Sequence, residues 1–189
     1  MSAAVNGIYE LMGAELFLPW TSLTLPDAME KVISVLLAQG LLRCSAQPGR
    51  LAAPDPNSQE FAELRLLGET VRPTLERHFL TLALLQHYGS GSQTRRTLEN
   101  ACHLLAQRLS LLYETNTPEF SEKSLFSVLI SNLIETDFLQ EDETGLLRFD
   151  QRLTTPLAHA ELVLSVDARQ AIRRMAEEPN RTTSSKMCD

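Results

Sequence analysis

The sequence predicts a mainly α-helical domain in which two helix-plus-β-hairpin units, winged-helix-like, sit around a long helical hairpin. Leucine occurs 34 times against 12 for valine and isoleucine together, and unbranched side chains lose less rotamer freedom in a helix than β-branched ones. Apolar residues recur at three- and four-residue steps, and the strongest turn signals fall between those runs. With 189 residues, 43% of them hydrophobic and 22% charged, the chain is long enough to bury one sizeable core. One body is expected over residues 1–178, followed by a polar, aperiodic tail at 179–189.

Ile8, Leu11, Met12 and Leu16 are spaced as a short helix, which ends in Phe17, Leu18, Pro19 and Trp20. Thr24 is placed to cap a second helix, with Pro26 in its first turn and Asp27 three positions on. Met29, Val32, Ile33, Leu36 and Leu37 form its apolar stripe, and Gly40 stops it. Residues 41–44 and 51–53 flank Gln47, Pro48 and Gly49, the composition of a hairpin turn. Beyond a loop at 54–57, Phe61, Leu64, Leu67, Val71, Leu75, Phe79, Leu82 and Leu85 mark a helix of about seven turns. Pro73, inside that stripe, either kinks the helix or starts a second one. Residues 89–92, Gly-Ser-Gly-Ser, read as a flexible break.

A third helix runs from Thr94 to about Glu114 with Leu98, Ala101, Leu105, Leu109 and Leu112 on its buried face and Arg108 turned away from it. Thr117-Pro118 signals another helix start, after which Leu125, Phe126, Leu129, Ile130, Leu133 and Ile134 make two adjacent apolar rows. Residues 138–139 and 146–149 bracket the polar turn Glu141-Asp142-Glu143-Thr144-Gly145, which reads as a second wing. A last helix is expected over about 156–176. A faint repeat aligns Val32, Ile33, Leu36 and Leu37 with Leu125, Phe126, Leu129 and Ile130, each set followed by a hairpin, the second copy one turn longer.

A formal net charge of -7 opposes binding to nucleic acid or anionic lipid unless a basic patch is segregated. Cys44, Cys102 and Cys188 are odd in number and lack CxxC spacing, which disfavours a disulfide framework and fits a reducing compartment. No apolar run approaches the ~18 residues of a membrane span, and no cofactor-binding or metal-ligating pattern is present. Histidines 78, 87, 103 and 159 have no aspartate five positions on, so none belongs to an HxxxxD pair that would activate a hydroxyl. They are expected on helix surfaces or rims. GxSxG, the Walker loop and GxGxxG are likewise missing.

Arg95 and Arg96, in the first turn of a helix, are candidate contacts for an anion or an acidic carrier protein, helped by Arg108; a solvated arginine pair is the other reading. Phe17, Leu18 and Trp20 are candidates for a membrane or domain contact, or for ordinary packing. Helix-wing geometry also suits a DNA-binding regulator. Against that stand Glu119, Glu122, Lys123 and Glu135 on the second unit's helix segment, three of the four acidic, and Glu141, Asp142 and Glu143 on its wing.

Ala14-Glu15-Leu16-Phe17-Leu18 with Trp20, Leu25-Pro26-Asp27, Ala106-Gln107-Arg108-Leu109-Ser110, and Pro118-Glu119-Phe120 with Lys123 and Phe126 stand in an order and at intervals that resemble the C-terminal region of the bacterial membrane-associated glycerol-3-phosphate acyltransferase. The resemblance covers residues 7–178. It implies transfer of a fatty acyl group from acyl carrier protein or coenzyme A to the 1-hydroxyl of glycerol 3-phosphate, giving lysophosphatidic acid. The family's HxxxxD motif and phosphate-binding residues lie upstream of this region, so no catalytic residue carries over and the chain alone is expected to be inactive. The partners implied are an N-terminal catalytic domain of the same enzyme, acyl carrier protein or acyl-CoA through that domain, and the membrane surface, with no nucleic acid. The implied location is the cytoplasmic side of the bacterial inner membrane for the full enzyme, peripherally bound, and the soluble cytoplasm for the isolated chain. The broad apolar face of 125–134, with Phe17 and Trp20, is expected to dock on the catalytic domain.

Overall fold

The computed structural model describes residues 9, 12, 19–21, 23–113, 118–153, 158, 169–170 and 173–174. Helix α1 spans Leu25–Ala38, with Pro26 in the first turn, where a missing N–H costs nothing. Thr24 precedes the helix but does not cap it. Its own backbone is already helical (φ -95°, ψ -13°), whereas a capping side chain needs an extended backbone to reach back over the first turn. The Thr24 hydroxyl instead accepts the Thr21 N–H at 2.9 Å. Gly40, at φ +74°, ends the helix in a Schellman closure: its N–H donates to the Leu37 carbonyl and that of Leu41 to the Leu36 carbonyl. The first wing follows as β1 (Arg43–Cys44) and β2 (Leu51–Ala52), antiparallel, with Arg43 opposite Ala52.

Helix α2 runs from Gln59 to Tyr88 as one element, straight through Pro73. Ser58 does cap it: its extended backbone (ψ 157°) lets the side chain accept the Phe61 N–H. The helix survives Pro73 because residues 69–73 are all exposed or half-exposed, so water can serve the carbonyl that loses its donor. Only half of the predicted stripe is covered. Leu67 and Val71 remain 51% and 41% exposed, and burial begins at Leu75.

Helix α3 is Arg95–Tyr113 and helix α4 is Lys123–Glu135. Pro118 opens a 3-10 turn, Pro118–Ser121, rather than α4 itself, because Glu122 is extended (ψ 118°) and separates the two. Strands β3 (Gln140–Glu141) and β4 (Leu147–Arg148) form the second wing, followed by a 3-10 turn at Gln151–Leu153. The helix expected at 8–16 is represented by Tyr9 and Met12, and that at 156–176 by positions 158, 169–170 and 173–174, all helical; the tail at 179–189 lies outside the described residues.

The core joins the second half of α2 (Phe79, Leu82, Leu85) to α3 (Leu98, Leu105, Leu109), α4 (Phe126, Leu129, Ile130, Leu133) and the second wing (Leu139, Leu147). The broad face of α4 is therefore consumed inside this chain and is not left for another domain. The linker at 89–92 is also not a flexible break. Gly91 N–H donates to the Leu147 carbonyl and Leu147 N–H to the Gln93 carbonyl, both at 2.8 Å. Thr94 bridges Leu146, and Phe149 N–H donates to Ser90 Oγ. Its glycines adopt positive φ to form the turn, and the segment is tied to the outer edge of the wing by these bonds.

The two helix-wing units share their backbone plan, in a register one helical turn away from the sequence repeat. Asp137 takes the place of Gly40: it too has positive φ (58°), and its N–H donates to Ile134 as that of Gly40 donates to Leu37. Leu139 N–H bonds the Leu133 carbonyl as Leu42 N–H bonds that of Leu36. Ser131 Oγ donates to the Ser127 carbonyl as Ser34 Oγ donates to that of Glu30. In the wings, Asp142 N–H bonds the Leu146 carbonyl as Ser45 N–H bonds that of Arg50. With this pairing α1 and α4 have nearly equal lengths, 14 and 13 residues, so the second copy is not a turn longer.

Candidate functional site

Arg95 is drawn into the molecule. Its Nε donates to Glu99 Oε1 at 3.0 Å, while Nη2 reaches Ser131 Oγ at 2.6 Å, Ser127 Oγ at 3.1 Å and the Ser127 carbonyl at 3.3 Å. The guanidinium fork thus bolts the start of α3 to the flank of α4, a geometry suited to a planar donor. Arg96, one residue on, turns about 100° around the helix and is exposed. Arg108 is exposed too, about 18 Å further along the axis at 1.5 Å per residue. The three arginines do not converge, so they form no joint seat for a single phosphate.

His78 is fully buried, against the surface position expected for it. It shares a face of α2 with Leu75, three residues before it, and Leu82, four after it, so it enters the core with them. Its Nδ1 lies 2.8 Å from the Thr74 carbonyl, and the buried neighbour Arg77 donates to Thr74 Oγ1. His103 bridges α3 to the 3-10 turn, its Nδ1 2.6 Å from the Ser121 carbonyl. His87 is exposed; His159 falls outside the described residues.

Cys102 is buried beside Thr81. Burial raises its thiol pKa to about 12, which removes it as a nucleophile at neutral pH. Burial also raises the Glu76 carboxyl above its ordinary value, the effect of Arg72 working against it. Trp20 is 42% exposed, and its backbone is pinned by the Tyr9 hydroxyl, which donates to the Trp20 carbonyl and accepts its N–H. Phe17 and Leu18 lie outside the described residues. On α1 an open groove is lined by Asp27, Glu30, Lys31, Ser34 and Val35. Among the described residues no group of His, Cys, Asp or Glu is placed to hold a metal ion, and no helix is long and apolar enough to cross a membrane.

The polar side chains traced through the core serve packing, and the class of protein they define is a helical body built from two wing-bearing units. Residues 1–142 match the family model of the glycerol-3-phosphate acyltransferase C-terminal region. The chain is similar to the glycerol-3-phosphate acyltransferase of Pseudomonas paraeruginosa, 38% identical over 175 residues that cover 92% of this chain and 21% of the relative. The enzymes of the same name from Xylella fastidiosa and Pseudomonas entomophila are 34% and 37% identical, each over 91% of this chain and 20% or 21% of their own length. No solved structure matches it. The chain belongs to the glycerol-3-phosphate acyltransferase C-terminal family, and it spans about a fifth of the length of the curated relatives it matches.

Proposed function

We propose that this chain is the supporting part of a glycerol-3-phosphate acyltransferase and makes or breaks no bond itself. The whole enzyme moves a fatty acyl group from acyl carrier protein or coenzyme A to the 1-hydroxyl of glycerol 3-phosphate, giving lysophosphatidic acid. The observation that carries this reading is the match to the family's C-terminal region by a sequence in which no histidine stands five residues before an aspartate. Activating an alcohol for acyl transfer needs a general base of that kind, and the catalytic remainder of the enzyme supplies it. That remainder is the chain's partner, and through it the acyl donors. The complete enzyme works peripherally on the cytoplasmic face of the bacterial inner membrane, and the exposed Trp20 ring is of the amphipathic type that favours a membrane interface.

Acyl transfer measured on three proteins tests the reading. The complete enzyme is expected to be active, the 189-residue chain inactive, and an enzyme shortened by this region to lose folding yield or activity. Unchanged specific activity and membrane recovery after shortening would remove the supporting role, and turnover by the 189-residue chain alone would overturn the whole reading.

A further inference from the structure

Among the described residues, long helices cover the second unit and not the first. In the second unit Leu129, Ile130, Leu133, Leu139 and Leu147 are at most 1% exposed, sealed by α2 and α3. At the matching places in the first unit stand Val32, Ile33, Leu36, Leu42 and Leu51. None of these is buried, and Val32 is 44% exposed. The wing edges differ in the same sense. Each wing is a sheet of two strands among the described residues, but the outer edge of β4 also exchanges backbone hydrogen bonds with Gly91 and Gln93 and bridges Thr94, and the outer edge of β2 has no such bonds among the described residues. Because Ser45 N–H bonds the Arg50 carbonyl, the alternation of an antiparallel ladder turns the Leu51 N–H and C=O outward, as those of Leu147 are. A third difference lies on the flank of the helix. Where Ser127 and Ser131 receive the Arg95 guanidinium, the first unit has the open groove of Asp27, Glu30, Lys31, Ser34 and Val35, two carboxylates against one ammonium.

We propose that the first unit is completed by a segment of the acyltransferase chain outside these 189 residues, built as residues 89–113 are built, with a strand, a basic side chain and a helix in that order. A helix covers the stripe from Val32 to Leu36, a strand pairs with the outer edge of β2, and a basic side chain enters the groove between Asp27 and Glu30. This inference rests on the reading that the chain works as part of the longer enzyme. The match takes up only 21% of the Pseudomonas paraeruginosa relative, so chain is available, and a strand-plus-helix of this kind needs only about 25 residues at ordinary rises per residue. The three open features fit one such segment at once: an apolar stripe, a strand edge unpaired among the described residues and a groove whose carboxylates outnumber its single ammonium.

The test uses the complete enzyme and the 189-residue chain side by side. With the photo-cross-linking residue p-benzoylphenylalanine at Val32, irradiation of the complete enzyme is expected to give a cross-link within one molecule, to the segment immediately preceding this region. In unsubstituted protein the Leu51 amide is expected to exchange at least about tenfold more slowly in the complete enzyme than in the 189-residue chain. The Leu147 amide, paired in both, should be slow in both. A Val32 cross-link between two copies, a cross-link to a distant part of the enzyme, or a Leu51 amide equally fast in both proteins overturns the inference. Acyl transfer measured on the same samples separates the two readings. An inactive enzyme that shows both signals breaks only the functional proposal, and an active enzyme that lacks them breaks only this one.

Discussion

The first and second helix-wing units share helix length, exit turn, serine back-bond and wing hydrogen bonds, yet one is a sealed core and the other is half open. Local turn chemistry therefore builds the unit, and the long helices on its apolar side decide whether it is buried. Matched substitutions exploit that contrast. Phe126 and Met29 occupy the same place in the two units; Phe126 is 0% exposed and Met29 is half-buried. In the 189-residue chain Phe126→Ala is expected to cost about 3–5 kcal/mol through the cavity it leaves, and Met29→Ala less than about 1 kcal/mol. Urea unfolding reads both. Similar costs at the two positions would break the comparison, and a Met29→Ala cost that grows to about 2 kcal/mol or more in the complete enzyme would sharpen it.

The elements that local chemistry fixes were legible in the sequence: the ends of α3, the Gly40 stop and both hairpins. What escaped depends on partners far away along the chain. Gly89 and Gly91 signal a turn, but nothing near them tells that β4, more than fifty residues on, pairs with it. His78 looks like a surface histidine until α3 and α4 close over that half of α2, although its spacing from Leu75 and Leu82 already placed it on the buried face. The repeat slipped by one turn because leucines at helical spacing fit either register. Only the exit turns at Gly40 and Asp137 distinguish them, and an aspartate there does not announce a positive φ as a glycine does. The arginine candidates show the same limit, since the serines that receive Arg95 lie on a different helix.

Arg95 itself offers the next contrast. Arg95→Ala is expected to cost about 1–2 kcal/mol, because it removes the charged donor shared by Ser127 and Ser131, an interaction partly screened because the side chain is 40% exposed. Arg96→Ala, at the neighbouring exposed position, should stay within about 0.5 kcal/mol. Arg95→Lys should recover only part of the loss, since an ammonium cannot span both hydroxyls and Glu99 as the fork does. In the first unit Glu30→Ala is expected to do nothing measurable to the isolated chain. Thermal unfolding of the four variants decides, and equal effects at Arg95 and Arg96 would show that the bolt between α3 and α4 carries no stability.

The smallest difference lies in the wings. Asp142 accepts the Thr144 hydroxyl, the Leu146 and Thr144 N–H groups and the Arg148 guanidinium. The Thr144 hydroxyl first, then the Leu146 amide, hold its carboxyl well below the ordinary aspartate range. At the same place in the first wing Ser45 accepts the Gln47 N–H at 3.3 Å and has no proton to gain. A carboxyl depressed in the folded state stabilises it fully above the ordinary aspartate pKa of about 3.9. That contribution shrinks as pH falls below this value and is gone once pH has passed the folded pKa. The second wing should therefore hold unchanged from pH 8 to pH 5 and loosen only in stronger acid, while the first wing shows no such step. Amide protection at Thr144 and Gln47, followed from pH 8 down into the acid below the ordinary aspartate pKa, measures the difference. Asp142→Asn should weaken the second wing at neutral pH and abolish its acid step. An acid step that survives in this variant, or appears equally at Gln47, would mean that some other carboxylate governs the acid response of the wings.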